Sequence, residues 1–507
     1  MPPPSASPLE HAINLRGAFT PSIAAAMTSR PTPQLLARLA DLLGPKGFTD
    51  AAEDLEPWLT DWRRRYKGAA AALLSPATTD EVAEIVRLCA DAHVAIVPQG
   101  GNSSMVAGAV PDESGGALLL SLRRMNRIRS LDAEGNLAVA EAGVILSSLH
   151  DAALAASRRF PLTLGAKGSA TVGGLISSNA GGTQVLRFGT MRGLVQGIEA
   201  VLPDGSVWNG LSPLKKDNRG YDLKHLLIGA EGTLGVVTAA SLKLVPAVGT
   251  RAVAWVGVET PEAALRLLRH CEAALGDAVE AFELVPKSAL DLVLMHVPGT
   301  RPPLAGAHPW NVLVEAVAPV SAPSPEPALY EALRSAFSLG LATDAAIAAS
   351  EAQAEAFWRI RDGISEAEQK DGVAAKHDVS VEVAKMPGFI VEASRAVEAR
   401  FPGTRVNAFG HLGDGNVHFN VRAPADLPRG DGAEWLAGEA PRITARVHDL
   451  VTAAGGSISA EHGIGQMKVA ELARLADPAR LAAMRAIKAA LDPAGIMNPG
   501  KLVPPEA

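Results

Sequence analysis

The spacing of apolar and polar positions divides this chain into short alternating helices and strands. Gln34–Leu43 carries apolar residues at helical spacing and is the first convincing helix. Pro76-Ala77-Thr78-Thr79-Asp80-Glu81 reads as a helix start with acidic residues at its positive end, and Val82, Ile85, Val86, Cys89 and Ala90 continue it. His93–Pro98 is an apolar run of buried-strand length that leads directly into a glycine-rich loop. From about Pro246 to Pro402 the pattern turns more helical, with Ala254–Val258 and Trp310–Glu315 as strands. Glu355–Gln369 is predicted as one helix in which Phe357, Ile360 and Ile364 face the core while Arg361 and Ser365, four apart, stand side by side. Ala374–Val383 alternates as a strand, placing Lys376, Asp378 and Ser380 on the face opposite Val379 and Val381. A last helix begins at Asp477-Pro478, with Leu481, Met484, Ile487 and Leu491 as its apolar face.

Met1 to about Pro33 has no such periodicity and is expected to be disordered. Arg16 and Arg30 would suit a transit peptide, Glu10 and the prolines oppose one, and Met27 offers a second start. At 507 residues the chain should form two or three domains. Its net charge of −7 argues against nucleic acid as the main partner, and the basic run Arg63–Lys67 reads as a solvated face. Only Cys89 and Cys271 are present, which excludes a disulfide framework or a thiolate cluster and sets the expected location as a reducing cytoplasm. No apolar stretch reaches the roughly 18 residues of a membrane span.

The candidate chemistry lies in glycine and histidine. Gln99-Gly100-Gly101-Asn102-Ser103-Ser104 would let backbone N–H groups approach a pyrophosphate, with Asn and Ser adding donors. Gly165–Gly182 is longer and equally glycine-dense, as a backbone passing close to something flat or anionic would be, and Gly229–Thr238 repeats the theme. No strand–GxGxxG–helix unit and no GxxxxGK[ST] occurs, so a dinucleotide would have to bind in a non-Rossmann way. Further on, His411-Leu412-Gly413-Asp414-Gly415-Asn416-Val417-His418 brackets a tight turn with two imidazoles, and Glu461-His462 adds a carboxylate and a third. His411, His418 and Glu461 form a ligand set for a catalytic zinc, with manganese or iron as alternatives.

The segments Pro98–Ser104, Gly165–Gly182 and Asp217–Lys224 with Gly229–Thr238 resemble the FAD-binding domain of the vanillyl-alcohol-oxidase/p-cresol-methylhydroxylase flavoprotein superfamily. His411–Asn420 and Ser459–Gly463 resemble the metal motif of its 2-hydroxy-acid branch, nearest to the D-2-hydroxyglutarate dehydrogenases. The fold this implies is α+β: a two-part FAD-binding domain, an α+β substrate cap, and a C-terminal segment returning to the flavin. The expected boundaries are 1–33 for the extension, 67–246 for the FAD domain, 247–455 for the cap and 456–507 for the C-terminal segment.

By resemblance, Pro98, Gly100, Gly101, Asn102, Ser103 and Ser104 would cradle the pyrophosphate. Gly165, Lys167, Gly168, Thr171, Gly174, Ser178, Asn179, Gly181, Gly235, Val236 and Asn498 would complete the FAD site. No histidine lies in 99–110 or 165–182, so FAD is expected to be non-covalent. Arg361, Ser365, Lys376, Asn420 and His462 would contact substrate, Ser365 standing where the family has Thr, with His462 as general base. The implied reaction is oxidation of a D-2-hydroxy acid, D-2-hydroxyglutarate first and D-lactate or glycolate next, with hydride passing to the flavin N5 and a metal assisting hydroxyl deprotonation. An electron-transfer flavoprotein or a quinone is the expected acceptor, and a homodimer the expected assembly. A metallohydrolase is the rival from another class, which the two glycine blocks oppose.

Overall fold

In a computed structural model the residues described are 28–428 and 430–505. The expectations of a disordered start and of Met27 as initiator therefore fall, up to residue 27, outside the described residues. Ser29 bridges to Val94, and the first helix, Pro33–Leu43, is capped by Thr32, whose side chain accepts from Leu35 N–H.

Two main sheets make up the first half, beside a two-stranded pairing of Arg158–Arg159 with Val245–Pro246. The smaller has the order Phe48–Thr49, Ala72–Leu74, Leu118–Ser121, Ile96–Gln99, with the last three of these strands parallel. Parallel neighbours need a crossover, and the Thr78-capped helix Thr79–Ala92 supplies one. It buries Val82, Ile85, Val86 and Cys89, as their spacing predicts. The second sheet is antiparallel: Ile128–Asp132, Leu137–Glu141, Val236–Lys243, Val195–Val201, Val207–Gly210. Its apolar face packs on helices Leu146–Ala155 and Val172–Ser177.

The second half is a seven-stranded antiparallel sheet in the order Asp344–Ile347, Val248–Val258, Trp310–Pro319, Val279–Pro286, Arg405–His411, Asn416–Arg422, Ala374–Ser380. Its strands are apolar on both sides because both faces are covered. Helices Pro261–Leu275, Glu326–Ser338, Met386–Arg400 and Ala440–Ala453 cover one face. Lys287–His296, Glu351–Asp362 and Ile364–Asp371 cover the other around Trp255, Phe357 and Phe409. Across the two halves, Glu280 accepts from Arg159 at 2.5 Å and from Arg187 at 3.1 Å while only 2% exposed.

The chain then returns. Ser457 bridges to Ser380, helix Pro478–Leu491 starts from an Asp477 cap as predicted, and Met497 pairs with Ile96 of the first sheet. Three local expectations need correction. The helix expected over Glu355–Gln369 is two helices broken at Gly363, a residue too weak in helix propensity to bridge two packing directions. Ile487, placed on an apolar face, is 36% exposed, because the last helix buries chiefly Leu481. The basic run is not wholly solvated: Arg63 is half-buried, drawn in by a loop whose Asp61 accepts from Arg63, Arg65 and Tyr66 N–H.

Candidate active site

Strands Arg405–His411 and Asn416–Arg422 form a hairpin that pairs His411 with Asn416 and Phe409 with His418. Paired residues share a face and every second residue returns to it, so His411 and His418 become diagonal neighbours. Their ring centroids are 5.5 Å apart. The turn depends on Gly415, at φ +81, where a Cβ would lie 2.0 Å from Val381 O. The loop after Ser457 brings Glu461 alongside, and one ligand atom each from His411, His418 and Glu461 lie within 4.8 Å of one another. The predicted metal-ligating residues are thus brought together, with their donor atoms at a spacing a divalent ion could bridge.

Buried carboxylates that the sequence reading did not single out organise this set. Glu283 Oε1 is 2.6 Å from His411 Nδ1, and its Oε2 accepts from Arg361 Nε at 2.8 Å. Burial opposes ionisation of Glu283, yet Arg361 and His411 hold its carboxyl at about 2. Burial would lower His411, but Glu283 raises it to about 9. Asp378, predicted only as a strand-face residue, accepts from Asn416 Nδ2 at 2.8 Å and from the N–H of Glu461 and His462 at 2.8 and 3.1 Å. His462 Nδ1 faces Asp378 Oδ2 at 3.5 Å. Desolvation lowers His418 to about 3 and lowers His462, leaving both imidazoles neutral at neutral pH. Desolvation also pushes Glu461 up to about 7.

Glu368, 1% exposed, accepts from Asn407 Nδ2 and Asn420 Nδ2 at 2.7 Å each and pairs with Lys376 Nζ at 3.2 Å. Lys376, Asp378 and Ser380 share one face of their strand as predicted, while Val379 and Val381 join the core. Arg361 is buried, with its guanidinium 5.3 Å from the Phe409 ring. Ser365 is exposed on the second helix and makes no hydrogen bond to Arg361, whose Nε donates to Glu283 instead.

A cavity of about 640 Å³ opens beside these groups. Pro98, Gly100, Gly101, Asn102, Ser103 and Ser104 line it, as do Gly165, Gly168, Thr171, Gly174, Ser178, Gly181, Gly235 and Val236. The other walls include Trp62, Ser169, Glu231, Glu461 and His462. Lys167, Asn179 and Asn498 are not among its lining residues. Asn179 accepts instead from Thr190 Oγ1 and Arg192 N–H, and Asn498 Nδ2 donates to Gly108 O and Glu231 O. The fit to a dinucleotide is close. Asn102 Oδ1 and Thr171 Oγ1 are buried without a protein partner, and a Cβ on Gly101 would fall 1.8 Å from Ser169 O. Glu231, missed within its glycine motif, accepts from Ile464 and Gly465 N–H at 2.8 and 2.7 Å.

Comparison with known proteins identifies the family and its FAD-binding domain. A family model for the C-terminal domain of FAD linked oxidases matches residues 249–502, and an FAD binding domain model matches residues 70–210. The mitochondrial D-2-hydroxyglutarate dehydrogenase of Arabidopsis thaliana is 38% identical over 466 residues, covering 92% of this chain and 80% of its own. That of Bos taurus is 38% identical over 483 residues, covering 93% and 84%. The solved structure of p-cresol methylhydroxylase superposes with a TM-score of 0.66 over 92% of this chain and 96% of that one, at 16% identity, a likeness of fold alone. The expected cytoplasmic location is overturned, because both dehydrogenase relatives are mitochondrial proteins. Cys89 and Cys271 are free and buried, a state compatible with any reducing compartment, so they never separated one from another.

Proposed function

The chain belongs to the FAD-linked oxidase family, and from that premise we propose that it oxidises D-2-hydroxyglutarate to 2-oxoglutarate. It is an FAD-dependent oxidoreductase acting on a small hydroxy acid. The observation that carries the finer reading is the position of Glu461-His462. Glu461 stands in the His411–His418 ligand set, and both residues line the large cavity.

FAD, when bound, would supply the acceptor for the C2 hydrogen, and a divalent metal, zinc first, would supply Lewis-acid chemistry. His411, His418 and Glu461 would hold the metal. His462, neutral and open to the cavity, takes the hydroxyl proton as the C2–H pair departs and the C2=O bond forms. Asp378 holds the backbone that carries this base, so His462 meets the substrate in one orientation. Arg361 offers a planar fork to the far carboxylate, and Lys376 adds a point charge. Asn420, with its amide nitrogen committed to Glu368, presents its oxygen. Ser365 is the weakest member of the set, given its exposure.

Non-covalent FAD is supported by the cavity wall, in which His462, assigned as the base, is the one histidine among the described residues. Reoxidation is assigned to an electron-transfer flavoprotein or a quinone, since no Rossmann unit is present for NAD. A homodimer rests on the general frequency of twofold assemblies alone.

The test is an anaerobic absorbance spectrum with added substrates. D-2-hydroxyglutarate should bleach the flavin band quickly, D-lactate, glycolate and the L-forms slowly, and a chelator should retard the fast reaction. Preferential bleaching by D-lactate would move the substrate, and absence of a flavin band after FAD loading would refute the mechanism.

A further inference from the structure

Glu283 joins two parts of the site that the functional reading treats separately. It lies on strand Val279–Pro286, 1% exposed, with one carboxylate oxygen 2.6 Å from His411 Nδ1 and the other 2.8 Å from Arg361 Nε. Among the described residues no other hydrogen bond holds either the His411 ring or the Arg361 guanidinium. Each therefore depends on one shared anion.

We propose that Glu283 is a positioning residue that makes metal binding and recognition of the substrate's second carboxylate interdependent. The inference rests on the assignment of His411 to the metal and Arg361 to the far carboxylate. With Nδ1–H committed to Glu283, His411 presents Nε2 on the side of Glu461, whose Oε1 is 4.0 Å away. A metal-ligating imidazole needs that tautomer, and a carboxylate behind it fixes both the tautomer and the ring plane. The other oxygen takes only Nε of Arg361, so the two terminal nitrogens stay available as a fork for a planar carboxylate. Rotating Glu283 to improve one contact would loosen the other.

Two variants separate this role from general destabilisation. In Glu283→Gln the amide offers one acceptor and one donor, so either His411 or Arg361 meets an NH₂ group. Glu283→Asp keeps the charge but is one methylene too short to reach both donors, and serves if the amide variant does not fold. Both are prepared with FAD bound. Zinc affinity is measured by calorimetry, and affinities for 2-oxoglutarate and its monocarboxylate counterpart 2-oxovalerate by perturbation of the flavin spectrum at saturating zinc. Each variant should lose about 10–100-fold in zinc affinity, preference for the dicarboxylate, or both. A purely structural residue would weaken both keto acids equally, leaving their ratio intact, and would leave zinc affinity near that of wild type.

Zinc affinity within twofold of wild type, together with an unchanged ratio, would overturn the inference while leaving the functional reading standing. A wild-type protein that binds no divalent ion, or does not distinguish the two keto acids, overturns the functional reading and this inference with it.

Discussion

Replacing Gly101 with alanine forces a collision that no side-chain rotation relieves. The new Cβ would sit 1.8 Å from Ser169 O, 2.6 Å from Ser169 C and 3.3 Å from Ala170 N, all backbone atoms. Gly101 is not in the left-handed region, so the conflict is one of space rather than of φ. Ordinary contact begins near 3.4 Å, so the loop 99–104 must retreat from the block 165–174 by about 1.6 Å. Both segments line the large cavity, and the retreat spoils the wall against which FAD would lie. Overpacking of this kind costs roughly 1–3 kcal/mol. If that cost falls on the FAD-loaded state, affinity drops about 5–150-fold, at about 1.4 kcal/mol per factor of ten. FAD affinity is read by quenching of flavin fluorescence, with a thermal melt of the FAD-free protein to catch any part of the cost borne there. The control is Gly388→Ala, inside helix Met386–Arg400 with nothing within 4 Å of its Cβ. It should gain about 0.5–1 kcal/mol of stability and leave FAD affinity alone. A Gly101→Ala protein with wild-type affinity and melting temperature would refute the packing of the two glycine segments against each other.

Other outcomes follow from the buried charges. In metal-free protein the Glu283–His411 pair should stabilise most between about pH 4.5 and 6.5. Glu283, depressed from 4.5 to about 2, loses its contribution as pH falls through that range, and His411, raised from 6.5 to about 9, loses its own as pH rises. Thermal melts across pH check this, and zinc affinity should climb up to about pH 9 because the ion displaces the His411 proton. Glu368→Gln leaves Lys376 unpaired and turns an NH₂ toward an amide donor. Urea denaturation should show a loss of about 1.5–3 kcal/mol, and KM for the dicarboxylate should rise; an unchanged midpoint and KM would remove Glu368 from the site. Burial pushes the Cys89 and Cys271 thiols to about 12, so an aromatic disulfide reagent at pH 8 should label neither until the protein is unfolded.

Local patterns carried most of what could be read from the sequence. The hairpin at His411–His418 declares itself because a Gly-Asp-Gly-Asn turn and strand alternation act over a few residues. The glycine segments are legible for the same reason, since a backbone in close contact excludes Cβ whatever the fold. Motif membership was a poorer guide to individual contacts: Asn179, from a glycine block, and Asn498, from the Asn-Pro-Gly-Lys ending, make their hydrogen bonds to other protein groups and do not line the cavity. The break at Gly363 escaped detection because a single glycine in a helical pattern is common and its consequence depends on what packs around it. Glu283, Asp378 and Glu368 escaped for a different reason. An acidic residue on a strand, or on a helix in the case of Glu368, looks like a solvent-facing position until partners 39 to 128 residues away close around it.

Those long-range partners explain why the chain must return through residues 461–465 to complete the site. Four N–H groups of this short loop point at two carboxylates: Glu461 and His462 donate to Asp378, and Ile464 and Gly465 donate to Glu231. Asp378 belongs to the seven-stranded sheet, whereas Glu231 lines the cavity in the first half of the chain. Each carboxylate takes two backbone N–H groups, and bonds to the ionised Asp378 are about twice as strong as neutral ones, so the loop is held at both ends. Between those anchors its two reactive side chains have little freedom, and Glu461 turns to the imidazoles while both face the cavity. A shift of one half against the other would break one anchor. Glu280, gripped by Arg159 and Arg187, opposes such a shift. Glu461 and His462 therefore keep a fixed place in the cavity wall, which is what the roles proposed for them as metal ligand and base require.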